Sequence, residues 1–198
     1  HTEVSSVRMS AASSSRAAGA DKVFVEKKQG TNFAREKGFE ESEGEIVAFC
    51  DADCEPRTNW LRTIEWSLSK KGVVAVSGPY DLGFTGFKKF LERLMTHFIF
   101  THIDRFLYFI FQKKAGVIIG GNYGAWRWAI KKIGGLPPLA FWGDDAATAM
   151  ALARHAGRVV FNPNLIVKSS PRRFEKKGLI RLELKYAWYY FKMFFSVK

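Results

Sequence analysis

Apolar and polar positions alternate along the chain in two periods. Residues 46–50 (IVAFC) and 73–77 (VVAVS) are short unbroken apolar runs, the pattern of strands covered on both faces. Residues 22–26 (KVFVE), 158–161 and 165–168 read as further short strands, and 120–126 as a loop or strand. Helical spacing predicts helices over 4–20, 32–43, 58–69, 127–133 and 144–156, with Gly44 and Gly157 as stops and a turn over 134–138. Strand and helix in alternation predict an α/β class, with a mostly parallel sheet flanked by helices.

Two segments depart from that rhythm. Residues 86–114 and 178–197 predict helices dense in Phe, Leu, Ile and Tyr, interleaved with Lys and Arg. In the first, Phe87, Phe90, Leu91, Leu94 and Phe98 follow helical spacing while Lys88, Lys89, Glu92 and Arg93 fall elsewhere on the wheel. Neither has the unbroken apolar length of a membrane span. Both read as amphipathic, aromatic-rich helices appended to the α/β unit and lying in a membrane interface.

Charge strengthens that reading. The 198 residues carry 31 Lys and Arg against 19 Asp and Glu, a net charge of +12, and 15% of positions are aromatic. Such a field favours phosphates and anionic lipid, and basic residues beside aromatic ones suit a headgroup layer better than nucleic acid, which is not expected as a partner. The length fits one catalytic unit. The two cysteines, Cys50 and Cys54, cannot form a disulfide framework or a four-cysteine zinc site, and a cytosolic setting is the default. His97, His102 and His155 lack ligand spacing with one another.

The sharpest chemistry is Asp51-Ala52-Asp53 directly after the apolar run 46–50. Ligands of open α/β sheets bind at the carboxyl ends of strands. If the segment is extended, residues i and i+2 share a face, so Asp51 and Asp53 offer two hard oxygen ligands to Mn2+ or Mg2+. The plainer alternative is a pair of loop-starting aspartates. A second acidic pair, Asp144-Asp145, opens a helix; one carboxylate there can take a proton from an attacking hydroxyl, and either can cap the helix.

The run 30–55, GTNFAREKGFEESEGEIVAFCDADCE, resembles the central segment of family 2 glycosyltransferases. A second block, Gly121-Asn122, Arg127, Ile133-Gly134-Gly135, Gly143-Asp144-Asp145, Gly157 and Phe161-Asn162-Pro163, follows in matching order, so the resemblance covers roughly residues 21–173. It implies the nucleotide-diphospho-sugar transferase (GT-A, Rossmann-like) fold and transfer, with inversion, from a nucleotide-diphosphate sugar. It also implies that Asp51 and Asp53 hold the metal and donor diphosphate, and that Asp145 is the base. Asp144 stands where the family usually has Glu, beside the acceptor or donor sugar; Asn122 sits in a glycine-rich stretch whose backbone would approach the donor sugar, or is a simple turn residue. Trp142 is a candidate acceptor floor, stacking on a sugar ring, or core. Lys28, Arg35, Arg172 and Arg173 are candidates to share the diphosphate charge, the last two resembling a serine-then-two-arginine segment of the family; each could equally be a solvated surface residue.

The expected organisation is a glycosyltransferase domain over 1–173, without the strand and Asp-rich turn that open family members and with an interfacial helical insertion near 86–114, followed by a basic, aromatic helix over 174–198. The acceptor would be lipid-linked or a glycan made at the cytoplasmic face of a membrane. Two other readings stand beside this one: a nucleotidyltransferase of related fold, and a non-enzymatic basic module binding lipid or nucleic acid.

Overall fold

The computed structural model describes residues 19–94, 102, 109, 116–138, 143–171 and 188. Its elements are α1 (Thr31–Glu41), β1 (Ile46–Cys50), β2 (Cys54–Pro56), α2 (Trp60–Leu68), β3 (Val73–Ser77), β4 (Tyr80–Asp81), α3 (Gly86–Leu94), β5 (Asn122–Trp126), α4 (Arg127–Lys132), α5 (Asp144–His155), β6 (Arg158–Phe161) and β7 (Val167–Ser169). The expected helices over 4–20 and 178–197 and most of 95–114 lie outside the described residues.

A four-stranded sheet runs β1-β5-β3-β6. β3 and β6 pair in parallel, whereas β5 pairs antiparallel with both β1 and β3. Thus β1, β3 and β6 share one direction, with β5 reversed between them. That reversal places the site: the start of β5 and the end of β1 meet at one edge, with Cys50 opposite Asn122. A smaller sheet, β2-β7-β4, continues from the turn after β1.

Both faces of the larger sheet are covered. On one side Phe39, Val47, Phe49, Tyr123, Ile130 and Leu152 form a buried cluster between α1, α4, α5 and the sheet. On the other, Trp60, Ile64 and Leu68 of α2 pack on Val73, Val76, Leu165 and Val167. The spacing of the three α2 residues, four apart, puts them on one helical stripe, which is why that helix was readable. β3 is buried at every position because it lies inside the sheet with helices on both faces.

Three expectations change. Residues 22–26 form no strand, and Phe24 and Val25 are exposed; alternation marks a possible strand, but a strand also needs a neighbour to receive its hydrogen bonds. The strand read over 165–168 is displaced to Val167–Ser169. α1 stops at Glu41, before Gly44, because Ser42 adopts an extended conformation and its hydroxyl donates to the Phe39 carbonyl at 2.8 Å. Arg127 completes the stop, its guanidinium donating to the carbonyls of Phe39, Ser42 and Gly44.

Candidate active site

One face of α1 builds the site. Asn32, Arg35, Glu36 and Phe39 recur at helical spacing and all turn inward, although three of the four are polar. Phe39 enters the core. Asn32 Nδ2 donates to the Pro137 carbonyl at 2.8 Å, and the Leu136 N–H donates to Glu36 Oε2 at 2.7 Å, so the loop leading toward α5 is tied to α1 at two points. Burial raises the Glu36 carboxyl above its usual range, while the Leu136 N–H pulls the other way.

Between these struts lies Arg35. Its Nη2 donates to Asp51 Oδ1 at 2.9 Å, and its Nη1 lies 3.2 Å from Asp145 Oδ1 and 3.4 Å from Asp144 Oδ2. The Arg35 side chain is only 13% exposed. Burial opposes its charge, but Asp145, Tyr123 and Asp51 outweigh that and hold it firmly protonated. The acidic turn after β1 and the acidic start of α5, remote in sequence, therefore converge on one guanidinium.

The floor beneath them is backbone. Asp51 N–H donates to the Gly121 carbonyl at 3.4 Å. A Cβ at Gly121 would overlap the Asp51 carboxylate and the Tyr80 hydroxyl, and one at Gly120 would overlap the Asp145 carboxylate and Arg35. The close approach needs glycine at both positions. Tyr80 Oη donates to Asp51 Oδ2 at 3.5 Å, a long bond, and burial together with the neighbouring Asp51 pushes the Tyr80 hydroxyl well above its ordinary pKa. The fully buried Tyr123 lies below Arg35, stacked on Phe49 with ring centroids 4.4 Å apart.

Electrostatics divide the aspartates. The Asp145 carboxyl is pushed up to about 7, first by burial and then by Asp144, with Arg35 and the Gly120 backbone acting against the rise. Its side chain keeps 31% exposure, so it is desolvated yet reachable from the cleft. Asp144 is raised in the same direction, again chiefly by burial with Arg35 opposing. A carboxylate poised near neutrality can accept a proton and later release it. Gly143, the residue before α5, lies in the left-handed region with φ 88°.

Asp51 and Asp53 do not lie in an extended segment. Cys54 N–H donates to the Asp51 carbonyl at 3.0 Å, closing a turn over 51–54, so the i, i+2 argument for a shared face does not hold. Asp51 faces Arg35 and Tyr80, while Asp53 is exposed and accepts a weak bond from Cys54 Sγ at 3.9 Å. Among the described residues no group of three or more His, Cys, Asp and Glu side chains is arranged to hold a metal. The donor set, two hard carboxylates on a turn at a strand end, fits an Mg2+ or Mn2+ ion that completes its shell with diphosphate oxygens and water rather than a closed protein cage. Burial, and after it Cys54, pushes the Cys50 thiol up to about 11.

The other expected residues separate. Asn122 was expected beside the donor sugar, but it is fully buried and both ends of its amide are consumed. Its Oδ1 accepts from Trp60 Nε1 at 2.8 Å, and its Nδ2 donates to the carbonyls of Pro79 at 3.0 Å and Leu165 at 2.7 Å. It is a strut that joins α2, β5 and the loop before β7, with no polar atom left for a ligand. Arg35, expected on the diphosphate, has its donors committed to carboxylates. Lys28 is exposed, its ammonium 3.9 Å from the centre of the Phe33 ring. Trp142, Arg172 and Arg173 lie outside the described residues. Tyr80, Gly120 and Glu36 had no expected role: no apolar periodicity marks them, and only the strand pairing and the packing of α1 bring them to the carboxylates.

The sequence model described as Glycosyl transferase family 2 matches residues 18–134. A stretch of 59 residues is 42% identical to the glycosyltransferase AglE of Haloferax volcanii, covering 30% of this chain and 19% of that protein. The solved mannosyltransferase PcManGT from Pyrobaculum calidifontis superposes with a TM-score of 0.51 at 19% identity, over 80% of this chain and 44% of its own. For glucosyl-3-phosphoglycerate synthase from Mycobacterium tuberculosis the TM-score is 0.53 at 17% identity, over 90% and 62%. The chain spans a minor part of the curated relative and less than two thirds of either solved protein.

Proposed function

The chain belongs to glycosyl transferase family 2, and from that premise we propose that it moves a sugar, with inversion, from a nucleotide-diphosphate donor to a lipid-linked or glycan acceptor at the cytoplasmic face of a membrane. The observation that carries the chemistry is the sharing of one guanidinium by Asp51 and Asp145, 2.9 and 3.2 Å away. A donor bound at the acidic turn and a base at the start of α5 then face each other across a single cleft.

In this reading the acceptor hydroxyl lies against Asp145. As its oxygen bonds to the anomeric carbon, the carbon–oxygen bond to the diphosphate breaks and Asp145 takes the hydroxyl proton. Desolvation has already raised the basicity of that carboxylate. Arg35 fixes the direction of the Asp145 and Asp51 carboxylates, and the glycine floor lets both carboxylates pack against the backbone. A divalent ion held by Asp51 and Asp53 would offset the charge gathering on the departing diphosphate, an effect typically worth several kcal/mol. Support for such an ion and donor comes from PcManGT, solved with GDP-Man and Mn2+, and from the glucosyl synthase, solved with Mn2+, UDP-glucose and phosphoglyceric acid. The proposed domain limits remain 1–173 for the transferase unit and 174–198 for the basic, aromatic tail.

The membrane half rests on the exposed aromatic and basic residues of α3 together with the net charge of +12. No helix among the described residues is long and apolar enough to cross a bilayer. The test is incubation with UDP-, GDP- and dTDP-sugars and Mn2+, measuring transfer and slow donor hydrolysis in the parent and in Asp53→Ala and Asp145→Asn. Turnover indifferent to both substitutions would overturn the reading.

A further inference from the structure

α3 is mounted the opposite way from an ordinary surface helix, which turns its apolar stripe to the core. Over Gly86–Leu94 the helical repeat gathers Phe87, Phe90 and Leu94 into one arc. Lys88 lies at one border of that arc, Arg93 at the other, and Lys89 toward the back. It is the back that meets the body of the protein: Lys89 Nζ donates to Asp81 Oδ1 on β4 at 2.6 Å. The apolar arc points away, with Phe87, Phe90 and Leu94 exposed by 75%, 60% and 43%. The rings of Phe87 and Phe90 stack with centroids 6.3 Å apart, forming one continuous apolar ridge.

The chemistry of the borders identifies the occupant. Lysine is depleted from protein–protein interfaces, whereas an apolar arc edged by Lys and Arg is the pattern of a helix lying at lipid headgroup depth. The net charge of +12 adds a long-range attraction to anionic lipid. The fold then ties this ridge to the cleft. Asp81 also receives Arg57, at 3.8 Å, just beyond β2, and follows Tyr80, whose hydroxyl reaches Asp51. β4 and β2 flank β7 in the small sheet, and β2 begins immediately after Asp53. The ridge and the acidic turn are therefore carried by the same small sheet.

We propose that α3 is the surface on which the protein lies against an anionic bilayer, with Phe87, Phe90 and Leu94 sunk among the headgroups, Lys88 and Arg93 on lipid phosphates, and the Lys89–Asp81 pair holding the acidic turn at a fixed height above them. This deepens the membrane half of the function proposed above and rests on it. The full chain is sedimented with vesicles of phosphatidylcholine, with and without phosphatidylglycerol. The parent binds the anionic vesicles; Phe87→Ser with Phe90→Ser lowers the partition coefficient about tenfold or more, and Lys88→Glu with Arg93→Glu removes the preference for phosphatidylglycerol. Because these side chains are exposed, unchanged thermal midpoints are expected and separate lost binding from lost folding. Binding by the double-serine variant equal to the parent overturns the proposal. So does a parent that forms a dimer in solution which the double-serine variant cannot form, since a second copy would then be what covers the ridge. Donor hydrolysis without vesicles reads the transferase reading separately, so the failure of one is distinguishable from the failure of the other.

Discussion

Arg35 and Asp145 stand 110 positions apart in the chain and meet at 3.2 Å, inside a site where the same guanidinium also holds Asp51. Three carboxylates share one buried cation, so the site carries an excess of acidic groups. Arg35→Met removes the only positive charge described within the cluster. Breaking a buried ion pair from one side typically costs about 3–5 kcal/mol, and urea unfolding at neutral pH is expected to show a loss of that order. The loss should shrink toward acid pH as the orphaned carboxylates take up protons. Arg35→Lys keeps the charge but loses the fork, and should recover stability better than turnover.

The pH dependence follows from Asp145. Its carboxyl is raised to about 7, so the fraction able to accept a proton grows as pH climbs through that value. kcat/KM for transfer is expected to rise through pH 7 and level off above it, and Asp145→Asn to remove both the limb and most of the rate.

Stability moves the other way. A raised carboxyl pKa means the folded state binds the proton more tightly than the unfolded state, so the stability it contributes is present at acid pH. That contribution falls as pH rises from the ordinary carboxylate range through about 7. Asp145→Asn should therefore melt higher than the parent at pH 8, with the gap closing toward pH 4. This net shift already includes the attraction of Arg35. An unchanged difference between the two proteins across that range would show that Asp145 is not desolvated as described.

The glycine floor separates positioning from folding. Gly120→Ala forces a methyl group against the Asp145 carboxylate and Arg35, and Gly121→Ala forces one against Asp51 and Tyr80. Neither glycine has the positive φ that L residues avoid, so the penalty is steric and local. Overpacking of this kind costs about 1–3 kcal/mol, while a displaced catalytic group can lose roughly 100-fold in rate. Turnover should fall far more than the unfolding midpoint, with Gly120→Ala acting through kcat.

Asn122 gives the converse case. Asn122→Ala leaves Trp60 Nε1 and the carbonyls of Pro79 and Leu165 without their partner in the core, an expected loss of about 2–4 kcal/mol in chemical unfolding. Trp60→Phe removes one of these bonds and should cost less, about 1–2 kcal/mol, provided the ring still packs. If Asn122 touched the donor instead, the alanine variant would stay stable and show a raised donor KM.

By itself the sequence determined the elements whose burial follows a local period. The apolar runs of β1 and β3, the stripe of Trp60, Ile64 and Leu68, and the acidic turn directly after a buried strand are all written in neighbouring residues. So are the ordered motifs that place the chain in its family. Strand direction is not, because a reversed β5 has the same alternation as a parallel one, and its reversal is what brings Gly120 and Gly121 to Asp51. The inward face of α1 was equally hidden: Asn32, Arg35 and Glu36 look like a solvent face until the loop at 134–138 and the start of α5 close over them. Asn122 was misplaced for the same reason, since a polar side chain in a glycine-rich stretch reads as a ligand contact or a turn, and only packing decides which partners satisfy it. Local sequence sets which residues prefer to be buried or to turn. Which distant groups neutralise one another depends on long-range contacts, and these exist only once the chain has folded.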